Sequence, residues 1–144
     1  MRIVVALLLL LVATVSCSED KSVPADTNRV FITEVCDRVV NALGREKFSE
    51  SIQLIDENSV LDRADLDSLK MTMQEQFMAL EPAYGRVIGS VFVREIAASG
   101  FVFKRVYLLR FQRQYLRCAL TCYKGSGGWA ITHFKYDNEL FEGL

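Results

Sequence analysis

Apolar positions recur at helical spacing in the first half of this chain and at strand spacing in the second, and Pro82 marks the change. Ile32, Val35, Cys36, Val39 and Leu43 form one stripe, with Asp26 as N-cap and Gly44 as stop, which predicts a helix over 27–43. Phe48, Ile52 and Ile55 share one side of a short second helix from Glu46 to about Ile55. Asp62 opens a third, whose stripe is Leu66, Leu69, Met73, Phe77 and Leu80, and Pro82 is expected to end it.

From Arg86 to Tyr136 the chain turns rich in Val, Phe, Tyr and Leu, broken by Ser99-Gly100 and by Gly125-Ser126-Gly127-Gly128. Strands are predicted at 86–98, 101–112, 115–124 and 129–137, and the short links between them imply an antiparallel meander. Phe103, Tyr107, Leu109 and Phe111 alternate with Val102, Val106 and Leu108, so both faces are apolar. One face is expected to hold the helices, and the other to be covered by a dimer partner or a curled sheet edge. The fold class is therefore α+β, with three N-terminal helices packed on a curved, cone-like four-stranded antiparallel sheet.

The end of the chain adds a motif. Tyr123-Lys124, a glycine turn, Gly128-Trp129, then Ile131, Phe134 and Asp137 precede an acidic-apolar tail from Asn138 to Leu144. With three helices ahead of a curved sheet, this resembles small secreted members of the nuclear transport factor 2-like (cystatin-like) superfold over about residues 27–140. The resemblance implies a pocket between the helices and the concave sheet face, and Phe31, Phe77, Leu116 and Leu120 are its candidate lining; the plain alternative is that they fill the core. The isomerase-like branch of that superfold pairs an acidic base with a tyrosine or second acid. Tyr107 and Glu95 are residues of those types on strands here, although neither aligns with that branch's motif. The superfold hosts enzymes, binding modules and assembly domains alike.

Met1-Arg2, the apolar run Ile3–Ala13 and Thr14-Val15-Ser16-Cys17 have the three parts of an export signal. The run is too short to cross a membrane, which needs about 20 apolar residues. Ser16-Cys17 resembles a bacterial lipoprotein cleavage motif, with Thr14 where that motif usually has Leu; lipidation of Cys17 and ordinary cleavage near Ser16 or Cys17 both stay open. Residues 1–17 are then the signal, 18–25 a polar tether and 26–144 a single domain. An exported (periplasmic, cell-envelope or extracellular) location follows, with membrane attachment only through a lipid on Cys17.

Without the signal, the apolar share falls from 51% to about 46% of 127 residues, ordinary for one globular domain. Charge is uneven: residues 18–82 hold 7 Lys/Arg against 14 Asp/Glu, and residues 83–144 hold 9 against 4. Either acidic helices attract a basic sheet, or the basic half meets an anionic ligand or partner. Nucleic acid is not expected of an exported, slightly acidic domain.

Cys118 and Cys122 share a strand face but, about 13 Å apart, cannot bridge each other; Cys36 can reach one of them if its helix lies on that face. His133 is the only histidine and has no metal-binding spacing around it. Asp62, Asp65 and Asp67 are explained by a helix start. The glycine turn precedes a strand rather than a helix, unlike a phosphate loop. No cofactor is implied.

The expectation is an exported, non-enzymatic domain that binds a small apolar or anionic ligand or a protein, with a homodimer through the outer sheet face. A small isomerase-like or hydrolase-like enzyme with an acid–base pair in the concave pocket is the alternative.

Overall fold

Three helices precede four strands in the computed structural model, which describes residues 26–139. The helices are α1 (Thr27–Leu43), α2 (Phe48–Asn58) and α3 (Arg63–Tyr84); the strands are β1 (Val87–Ser99), β2 (Val102–Phe111), β3 (Tyr115–Gly125) and β4 (Gly128–Asp137). The strands form one antiparallel meander in the order β1-β2-β3-β4, a curved open sheet backed by the helices on one face. The segments expected to be signal (1–17, with Cys17) and tether (18–25) lie outside the described residues, which start at Asp26. Among the described residues, no helix is long and apolar enough to cross a membrane.

α1 is the central helix. Its predicted stripe of Ile32, Val35, Cys36, Val39 and Leu43 is buried throughout, and it touches all four strands and α2. The sheet answers with every second residue of β2 and β3: Phe103, Leu109, Phe111, Leu116, Cys118, Leu120 and Cys122 are all buried toward the helices. α3 packs on α2 and reaches the sheet through aromatic edges, Phe77 and Tyr84 both meeting Phe111 at ring distances of 5.6 and 5.5 Å.

Two local expectations need correcting. α3 runs past Pro82 to Tyr84. Pro82 forfeits the one bond its own nitrogen would make, two residues from the helix end, and Arg113 caps the last carbonyls from outside. Its Nη2 donates to Pro82 O at 2.8 Å and its Nε to Ala83 O at 3.0 Å, a cation on the negative end of the helix. The second helix begins at Phe48 rather than Glu46, since Glu46 adopts a left-handed φ of 58°.

Gly44 does end α1, but with an ordinary φ of −62°. Its lack of a side chain answers a close approach: an added Cβ would stand 3.1 Å from both Gly89 C and Ser90 N of β1. Those are backbone atoms that cannot rotate away. Gly44→Ala is expected to cost about 1–3 kcal/mol by overpacking, read as a lower urea midpoint with an unchanged slope.

The outer face of the sheet carries no second layer. The register puts Arg94, Lys104, Arg110, Arg117 and Lys135 there, with Asp137 as the carboxylate among them. Val106 is buried on that face; it pairs with Arg94, whose Nε is itself shielded from solvent, as when an arginine stem lies across an apolar residue. Arg117 and Lys135 converge on Asp137 at 2.8 and 3.0 Å. Basic side chains of the same chain thus supply part of the cover expected from a partner. The charge asymmetry is largely segregated to opposite sides of the fold, and acidic helix meets basic sheet only at particular contacts.

One such contact ties the start of α1 to the last hairpin. Asp26 accepts from Asn28 N as N-cap, while its Oδ2 accepts from Lys124 Nζ at 2.6 Å and Trp129 Nε1 at 3.1 Å. Hydrogen bonds from Lys124, then Trp129, lower the Asp26 carboxyl from 3.8 to about 2. A depressed carboxylate stabilises the fold above its unfolded value and loses that effect as pH falls through its folded one. The stability gap between wild type and Asp26→Asn is therefore expected to hold at pH 5 and close between about pH 4 and pH 2, measured by urea unfolding across that range.

Candidate functional site

A polar groove opens where α1 crosses the β1–β2 half of the sheet. It measures about 310 Å³ and is lined by Asp37, Asn41, Ser90, Phe92, Arg105 and Tyr107. Asp37 and Asn41 are four apart on α1, so they share a flank beside the buried stripe. Arg105 and Tyr107 lie between buried Phe103 and Leu109 on the helix-facing side of β2. β1 contributes Ser90 and Phe92, opposite Leu109 and Tyr107.

A bulge completes the arrangement. Phe92 pairs with Tyr107, Arg94 with Val106 and Glu95 with Arg105, so Val93 is an extra residue in β1. Without it, Phe92 and Glu95 would point to opposite faces. With it, both face α1.

Arg105 is the hub. Its side chain is only 10% exposed, yet it donates Nε to Tyr107 OH at 2.7 Å, Nη1 to Glu95 Oε2 at 2.9 Å and Nη2 to Asp37 Oδ1 at 2.9 Å. Tyr107 OH in turn donates to the same Asp37 oxygen at 2.7 Å, and Arg29 pairs with the other oxygen of Glu95. The guanidinium lies 4.2 Å from the Phe92 ring centre. Burial alone would disfavour the Arg105 charge, but its bonds to Tyr107, Glu95 and Asp37 outweigh that and hold it protonated.

The chemistry on offer is hydrogen bonding rather than proton transfer. Burial first, then donation to Asp37, pushes the Tyr107 phenol well above its ordinary range, so it stays a neutral donor. Two arginines and two carboxylates make the cluster locally balanced. Asp37 lines the groove on a side chain 42% exposed, and both of its bonds fall on Oδ1, which leaves Oδ2 for a donor. Ser90 Oγ donates to Asn41 Oδ1 at 2.8 Å, which leaves the Asn41 amide nitrogen for other acceptors. Phe92, 46% exposed, supplies an apolar surface.

Two other depressions are less suited. A larger groove of about 440 Å³ between α2 and α3 is walled by surface charges such as Asp56, Glu57, Arg63, Asp67 and Lys70. A small hollow of about 170 Å³ lies beside Phe48, Phe77 and Met78. Among the described residues, no group of His, Cys, Asp and Glu is placed to hold a metal.

The residues singled out from sequence fall elsewhere. Phe31 stands 55% exposed on α1, while Phe77, Leu116 and Leu120 are buried in the core, so the four do not line one pocket. α1 itself fills the space against the concave sheet face. Tyr107 and Glu95 are brought together, joined through Arg105. His133 is exposed on the outer-face side of β4, with Nδ1 against Thr132 Oγ1. Asp62 caps α3 through Ala64 N at 2.8 Å. Asp37, Asn41, Ser90, Phe92 and Arg105 were not anticipated. The signal was there in one place: Arg105 is the one charged residue in the inward series Phe103, Arg105, Tyr107, Leu109 and Phe111.

Compared with protein-family models, curated proteins and solved structures, the chain finds no match.

Proposed function

We propose that this chain is an exported, non-enzymatic binding domain of the nuclear transport factor 2-like type, and that it takes a small polar ligand in the groove between α1 and β1–β2. The observation that supports this most is the convergence of Asp37, Asn41, Phe92 and Tyr107 on one open groove around a buried arginine. A fitting ligand offers a donor to Asp37 Oδ2, an acceptor to the Asn41 amide and a flat or apolar face to Phe92. Amino sugars, polyols and small aromatic amines have that chemistry. The acid–base enzyme fits less well, because Tyr107 keeps its proton and Asp37 is already held by two donors.

The test is a thermal-shift screen of the purified domain against those three classes. A ligand at 100 times its dissociation constant adds about 2.7 kcal/mol, and Phe92→Ala should abolish the shift while leaving the unliganded protein folded. No shift across the panel, or a shift that survives both Phe92→Ala and Asn41→Ala, removes the groove reading.

Self-association through the outer sheet face is the second reading, favoured by exposed Val91 and Val93 at its edge. Lys104, Arg110 and Lys135 oppose it by like-charge repulsion, so the dimer should strengthen with salt. A monomer by light scattering at high micromolar concentration and high salt eliminates it. Export and anchoring rest on residues 1–17: the intact mass of the exported protein should show the signal removed, and a mass without diacyl modification at Cys17 excludes the anchor.

A further inference from the structure

Cys36 and Cys122 come from α1 and β3, and their sulfurs lie 3.5 Å apart with both residues fully buried. That is nonbonded contact, about 1.5 Å longer than a disulfide bond, and a small side-chain rotation closes the gap. Cys118 lies on the same face of β3 but four residues away along the strand, about 13 Å from Cys122, and has no sulfur partner among the described residues. We infer that Cys36 and Cys122 form a disulfide that pins α1 to the sheet, and that Cys118 stays a thiol.

The location gives the bond a purpose. Cys36 immediately precedes Asp37, which forms the α1 wall of the groove and accepts from Arg105 and Tyr107. The crosslink fixes that wall against the strand beside β2. It also joins residues 86 apart, enclosing α2, α3, β1 and β2, a long loop whose closure restricts the unfolded chain.

Resting on the export proposed above, the oxidant is a disulfide donor of the exporting compartment, a thiol–disulfide oxidase or a small-molecule disulfide. One cysteine thiolate attacks a donor sulfur, giving a mixed disulfide and releasing one donor thiol. The second cysteine attacks the protein sulfur of that intermediate, forming the Cys36–Cys122 bond and expelling the other donor thiol. Two protein thiols are oxidised by two electrons, the donor disulfide is reduced to two thiols, and the two protons end on them. Full burial shields both sulfurs once α1 has docked, so the exchange belongs to folding rather than to the finished domain.

The experiment takes the full chain with Cys17→Ser, which leaves Cys36, Cys118 and Cys122 as its cysteines, refolds it from denaturant with oxidised glutathione, then alkylates it under denaturing conditions. Cys36 and Cys122 should escape alkylation and appear as one linked peptide, with Cys118 alkylated. Protein refolded with oxidised glutathione should melt about 10 °C above the same protein refolded and held in reductant. Cys118→Ala should keep that difference, and Cys36→Ala and Cys122→Ala should each lose it. Alkylation of Cys36, Cys118 and Cys122 alike after oxidative refolding, a Cys36–Cys118 peptide, or equal melting after oxidative and reducing refolding would overturn the proposal.

Discussion

Replacing Arg105 with methionine is expected to destabilise the protein by about 3 kcal/mol, the lower end of what breaking a buried ion pair costs. The side chain is 10% exposed and serves Asp37, Glu95 and Tyr107 at once, so no other group of the groove replaces it. Removing it leaves two carboxylates that had been neutralised by it. Glu95 keeps Arg29, and Asp37 is exposed enough to rehydrate, which is why the full buried-pair penalty is not expected. Methionine preserves contact with Phe92, so the loss reads the polar network rather than a void.

The check is a double-mutant cycle by urea unfolding: Arg105→Met, Asp37→Asn and the pair. Coupling of about 1–2 kcal/mol is expected for residues sharing one network. A single-mutant cost below about 0.5 kcal/mol would place this cluster among surface ion pairs of little energetic value and take away the rigid wall on which the groove depends.

The ease of reading this fold from sequence follows from where its energy lies. The α1 stripe and the β2–β3 alternation are each repeated burial at one period, and all five stripe residues of α1 are buried as the spacing implies. Short links made the meander equally plain. The departures are places where a single tertiary contact overrides a local rule. Arg113 reaches from the β2–β3 turn to cap the helix that Pro82 was expected to stop. Gly44 stops α1 as expected, and it is also the point where α1 meets the backbone of β1, which no local pattern marks.

The groove was harder to foresee, for a related reason. Its floor depends on Val93 being an extra residue in β1, and nothing in Val91-Phe92-Val93-Arg94-Glu95 marks which position bulges. Strict alternation would have sent Glu95 away from Arg105. The pocket suggested by resemblance assumed an empty concave face, whereas α1 closes on it with Ile32, Val35, Cys36 and Val39. Tyr107 and Glu95 were recognisable as chemical types, but their partner Arg105 sits in a series otherwise apolar or aromatic.

Phe103 is where the apolar core and the charged network meet, and Phe103→Ala is expected to cost about 3–5 kcal/mol. The residue is fully buried near the start of β2, with the Trp129 ring 5.1 Å away and the Arg29 guanidinium 4.7 Å from its centre. Alanine would open a void beside both, and Arg29 would lose one of the surfaces that orient it toward Glu95. Phe103→Leu separates the contributions, since it keeps most of the buried area and forfeits only the ring. Its cost is expected near about 2 kcal/mol, from imperfect refilling plus the lost aromatic and cation–π contacts. Trp129 is the only tryptophan, so its fluorescence during urea unfolding reports on this contact directly. A loss under about 1 kcal/mol for Phe103→Ala would mean that this part of the core collapses freely around the gap, and that Arg29 and Trp129 are held by Glu95 and Asp26 rather than by the ring between them.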